Sequence, residues 1–138
     1  MVKQKTCEER IKSCMEDRLD DIRKLWEAQC NGEEHIEDLG AFHEYGLSFD
    51  YVPKETFGDQ EQGYFRYQLS WGGPSDEFRF FVDYEKECYR IEYWFLDWYD
   101  GASRQLYGED LKLMNEIFND FKECGMVESE FLKATMDE

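Results

Sequence analysis

The chain has 138 residues, 33 acidic against 16 basic, and a formal net charge of -17. A charge of that size argues against direct binding to nucleic acid or to anionic membranes and favours basic partners. The aromatic share of 17% argues against disorder, and no apolar run approaches the ~20 residues of a bilayer span.

The length fits one domain, 1–138, long enough to bury a core. Thr6 and Glu9 have capping-box spacing, which predicts a helix start. From there Ile11, Cys14 and Met15, Leu19, Ile22, Leu25 and Trp26, and Cys30 recur every three to four residues, one apolar stripe on a helix over 7–30. Asn31 and Gly32 supply its stop. Residues 33–46 read as a short helix or irregular turns, and 47–52 alternate like a strand closed by Pro53.

A meander of three strands follows. Over 64–71, Phe65, Tyr67, Leu69 and Trp71 share one face. Over 78–84 that face holds Phe78, Phe80, Val82 and Tyr84, and over 89–96 it holds Tyr89, Ile91, Tyr93 and Phe95. Period-two alternation of this kind predicts antiparallel strands with one face on a core. Arg66, Arg79, Arg90 and Glu92 then share the wetter face, where cross-strand charge pairing is available. A last helix is expected over 109–124, with Leu111, Met114, Ile117, Phe118, Phe121 and Cys124 as its stripe and Gly125 as its stop. The predicted fold is α+β: an antiparallel sheet, the three-stranded meander plus a fourth strand, packed on N- and C-terminal helices.

The charge is unevenly spread. Residues 1–32 hold seven acids and seven bases, whereas 33–62 hold nine acids and one base. The five cysteines form no C-x-x-C pair, so free thiols in a reducing compartment are expected. The first ten residues, MVKQKTCEER, carry no apolar stretch of signal-peptide type, and a cytoplasmic location is the expectation.

Hairpin geometry brings the WGGPSDE connection and the end of the third strand, LDWYDG, to one end of the sheet. Asp76, Glu77, Asp97, Trp98, Tyr99 and Asp100 are therefore expected at a common rim, as turn carboxylates beside aromatics, and form the first candidate partner-binding surface. Glu33, Glu34, Glu37 and Asp38 in the most acidic segment form the second. A regular strand through Asp97 would put that acid on the core face, so a bulge or strand end near 96–98 is expected instead. His35 and His43 match no closed zinc pattern. No nucleophile elbow, phosphate-binding loop or nucleotide fingerprint occurs. No catalytic residue, metal site or cofactor is expected.

The stretches FRYQLSWGGPSDEFRFFVD and YRIEYWFLDWYDGASRQLYGED, within residues 64–110, resemble a small family of acidic proteins carried by plasmids, integrative elements and phages. That resemblance implies a host bacterial cytoplasm and a setting rich in inhibitors of host defence, including anti-restriction and anti-CRISPR proteins, several of which mimic nucleic acid. The expected function is a small acidic inhibitor, monomer or homodimer, that occupies the basic nucleic-acid-binding surface of a defence effector. The alternative is an adaptor or toxin-neutralising protein of a mobile element. The neutral N-terminal helix departs from a mimic surface.

Overall fold

The computed structural model describes residues 6–33, 35–36, 39–54, 56, 60, 62–72, 74–97 and 100–136. In chain order its elements are α1 (Cys7–Cys30), α2 (Phe42–Tyr45), β1 (Ser48–Val52), β2 (Tyr64–Ser70), β3 (Ser75–Val82), β4 (Cys88–Asp97), β5 (Asp100–Gln105), α3 (Gly108–Glu123) and α4 (Met126–Met136). The strands form one antiparallel meander in the order β1-β2-β3-β4-β5. The predicted α+β class is therefore observed, with five strands among the described residues.

Local sequence explains the helix limits. The Glu9 N–H donates to Thr6 Oγ1 at 3.2 Å, and the Glu9 carboxylate accepts from the Thr6 N–H at 3.4 Å. Gly32 and Gly125, just past α1 and α3, adopt φ of +82° and +89°, where a side chain would be strained. Alternation sends Phe49, Phe65, Tyr67, Phe78, Phe80, Ile91, Tyr93 and Phe95 to one face of the sheet. There α1 lies over β4 and β5, α3 reaches β4, and α4 packs on β1. Phe118 of α3 stacks on Phe80 at 5.0 Å and meets Phe65 at 5.7 Å. Phe121 packs on Phe49 at 4.9 Å and on Tyr67 at 5.6 Å.

Three expectations are corrected. First, DGASRQ at 100–105 is a strand, although its composition reads as a turn. Its Ala102 is buried opposite Phe95, and a Cβ on Gly101 would press on Leu96. Small residues let this strand tuck under α1, so pairing and packing decide its state, not propensity. Second, β3 begins at Ser75, not Phe78, which takes Asp76 and Glu77 out of the turn and into the ladder opposite Phe95 and Trp94. Third, Trp71, Tyr84 and Tyr89 are exposed, Trp71 at 76%. They stand at strand ends, beyond the cover of the helices.

All five cysteines are free. Cys7 is buried, and its thiol is pushed up by burial and by the Asp100 carboxylate; burial pushes Cys88 up to about 12. Cys30 and Cys124 are exposed. Alkylation of the native protein, followed by mass spectrometry, should label Cys30 and Cys124 first. Cys7 and Cys88 should react about tenfold more slowly or worse, because the thiolate is the nucleophile. Reductant should leave the melting temperature unchanged; a clear drop would reveal a disulfide.

Candidate functional site

Asp76, Asp97 and Asp100 do come together, but as a seam beneath α1 rather than an open rim. Asp100 accepts the Cys7 N–H at 2.7 Å, at the positive end of the helix. That hydrogen bond holds its carboxyl below the usual range. Next along the helix, Asp97 pairs with Arg10 at 2.6 Å, its side chain 12% exposed. The strand is thus regular through Asp97, and the acid does face the helix layer. β4 ends at Asp97, so the strand end expected near 96–98 is observed and no bulge occurs; Arg10 supplies the counter-charge there and also covers the Phe95 ring at 4.7 Å.

Further on, Asp76 is 3% exposed and accepts from Arg18 twice, Nε at 2.7 Å and Nη2 at 3.1 Å. Tyr93 Oη donates to the same carboxylate at 2.6 Å, and so does the Ser70 hydroxyl. Arg18 Nη1 also donates to Tyr45 Oη at 3.0 Å, and that hydroxyl donates to Asp21 at 2.8 Å. Burial works against the Arg18 charge, but the hydrogen bonds to Asp76 and Tyr45 outweigh it and raise its pKa. Burial, reinforced by Asp76, pushes the Tyr93 phenol up.

Glu77 lies on the opposite face. Neighbouring strand residues point to opposite sides of a sheet, so Asp76 and Glu77 cannot share a surface. Glu77 is 3% exposed and bound to Arg79 at 2.8 Å. The expectation of exposed turn carboxylates therefore fails for Asp76 and Glu77, each buried against an arginine. Asp100 alone of the four is exposed, and it is engaged at the α1 terminus. Trp98, Tyr99, Glu34, Glu37 and Asp38 lie outside the described residues. Glu33 is exposed just beyond α1, its N–H donating to the Ala28 carbonyl at 2.8 Å.

The same seam changes the reading of α1. The helix is neutral in sum but strongly polarised across its section. Arg10, Arg18 and Arg23 turn toward Asp97, Asp76 and Asp110. Six acids, Glu8, Glu9, Glu16, Asp17, Asp20 and Glu27, stay exposed, beside the exposed lysines 12 and 24. Glu9, Glu16, Asp20 and Glu27 fall within about 40° of one another around a helix of 3.6 residues per turn, a line roughly 27 Å long. Sequence reasoning passed over this face because it counted charge along the chain. The spacing of 7, 4 and 7 residues is the signal that could have found it.

The arginines elsewhere are also engaged. Arg66 pairs with Asp50 at 2.7 Å, Arg90 with Glu92 at 3.4 Å and Arg104 with Glu8 at 2.6 Å. With Arg79, all seven arginines of the chain sit in internal ion pairs. Among the described residues no group of three or more His, Cys, Asp or Glu could hold a metal ion, and no helix is long and apolar enough to cross a membrane. His43 Nε2 lies 3.3 Å from the Gln29 amide nitrogen, and His35 is exposed. In comparison with known proteins, no family model, no curated protein and no solved structure matches the chain.

Proposed function

We propose that the chain is a non-enzymatic acidic binding protein that occupies a basic nucleic-acid-binding surface by charge mimicry, in the manner of an anti-restriction or anti-CRISPR inhibitor. The observation that carries this reading is the polarisation of α1: its arginines are spent on the sheet and α3, and its acids line the solvent side. The resemblance in residues 64–110 directs the choice of partner to defence nucleases. A carboxylate line on a docked helix can enter a groove lined with Lys and Arg without ordering a flexible tail. Duplex DNA carries one charge per ~1.7 Å of axis, far denser than α1, so the likeness is one of sign and rigid line. Long-range attraction would speed encounter and weaken as salt rises.

The test is titration against purified DNA-cleaving effectors, a CRISPR nuclease complex and a restriction nuclease, with cleavage of a target duplex as readout. Wild-type protein should inhibit near stoichiometry, less well at high salt, since screening acts over about 10 Å at 0.1 M. Reversal of Glu16, Asp20 and Glu27 to Lys should weaken inhibition by about tenfold or more and leave the melting temperature nearly unchanged. Glu9 is spared because it caps the helix. Reversal of the exposed Glu85, Glu116 and Glu123 makes the same change of charge away from α1 and should weaken inhibition less. Failure to inhibit either class of nuclease, or equal loss in both triple variants, would defeat the reading.

A further inference from the structure

The outer face of the sheet, away from the helices, carries a hollow of about 310 Å³ lined by Tyr64, Arg79, Phe81, Arg90, Glu92 and Trp94, with Gln60 and Gln62 at its side, where Arg90 Nη2 donates to Gln62 Oε1 at 3.5 Å. That size suits a small ligand or one side chain. Its floor is rigid. The Tyr64 and Phe81 rings lie 5.7 Å apart, and Phe81 pairs across the strands with Arg90. The Arg79 guanidinium lies 3.8 Å from the Trp94 ring centre and 4.6 Å from that of Tyr64, and is tied to Glu77. The Arg90 guanidinium covers Phe81 at 4.2 Å.

Two buried polar atoms of this lining are left over. Among the described residues, neither Tyr64 Oη nor Arg90 Nε has a hydrogen-bond partner. Tyr64 is only 2% exposed. Arg90 Nε stands 3.4 Å from a Glu92 oxygen without forming a hydrogen bond. Buried donors are nearly always satisfied, so two orphans in one hollow call for an acceptor. Burial pushes the Tyr64 phenol up, so it is a protonated donor at neutral pH.

We propose that this hollow binds a carboxylate group, which accepts from the Tyr64 hydroxyl and Arg90 Nε while the moiety that bears it lies against the Trp94 indole. The charge balance selects the class. Arg79 is matched by Glu77 and Arg90 by Glu92, so the lining has no spare positive charge for a phosphate dianion, and a carboxylate would be held by the two unpartnered donors. The carboxylate could belong to a free planar acid or to an acidic side chain of a protein. Benzoate and a blocked dipeptide bearing one glutamate represent the two sources.

The experiment follows the Trp94 indole N–H resonance during titration with benzoate, with the dipeptide and with inorganic phosphate. A saturable shift with benzoate or the dipeptide is expected, and the tighter of the two identifies the source. Tyr64→Phe deletes one hydroxyl that bonds to nothing in the free protein. It should leave thermal stability equal or higher, yet weaken carboxylate binding about tenfold, as loss of a hydrogen bond to a charged group does. Arg90→Lys, which keeps the charge and loses Nε, should act in the same direction. No saturable shift with either carboxylate, undiminished binding in both variants, or tighter binding of phosphate would overturn the proposal.

Discussion

Replacement of Asp76 by alanine is expected to destabilise the fold by about 3 kcal/mol, with 5 as the upper bound. The change removes the acceptor for four hydrogen bonds, two from Arg18, one from Tyr93 and one from Ser70. Tyr93 is fully buried, so its hydroxyl would be left without a partner where water cannot reach it. Arg18 would lose its main counter-charge beneath α1. Its side chain is 28% exposed and can rehydrate in part, which places the expectation at the lower figure. Urea denaturation should show the loss, and the melting temperature should fall by roughly 10 °C for a domain of this size. Asp100→Ala should cost much less, because that carboxylate is open to solvent. The double change Asp76→Leu with Arg18→Met should recover part of the loss, since apolar residues can replace a buried ion pair. Tyr93 would still lack its acceptor, so recovery should be incomplete. A loss below about 1 kcal/mol for Asp76→Ala would mean that the seam does not hold α1.

Phe118→Ala should destabilise by about 3–5 kcal/mol, as truncation of a buried Phe usually does. Phe118 is fully buried, and its ring joins α3 to both β2 and β3 through Phe65 and Phe80. Its removal leaves a void that rigid neighbours cannot close, because Phe65 and Phe80 are fixed in the ladder between β2 and β3. Phe118→Leu should cost appreciably less, since most of the volume remains. Trp71→Ala is the contrast. Trp71 is exposed, and its truncation should change stability by no more than about 0.5 kcal/mol. Denaturant midpoints for the three variants would check the order. A large loss at Trp71, or a small one at Phe118, would contradict the assignment of the core.

What the sequence by itself determined is the set of elements whose reasons are local. The apolar stripe from Ile11 to Leu25 specifies α1, and the Thr6–Glu9 box and Gly32 set its ends, because caps and period act within a few residues. The alternation at 64–70 and 88–97 specifies two strands and their inner faces. Only the tertiary structure decided the rest. DGASRQ has no strand signature and becomes β5 because β4 offers a ladder and α1 a roof for Ala102. Asp76 reads as one acid among thirty-three, yet it is the one bound to Arg18, 58 residues away along the chain. The neutrality of α1 conceals its acidic outer face for the same reason. Which charges pair depends on which surfaces meet, and that is set by packing across the whole domain rather than by neighbours in sequence.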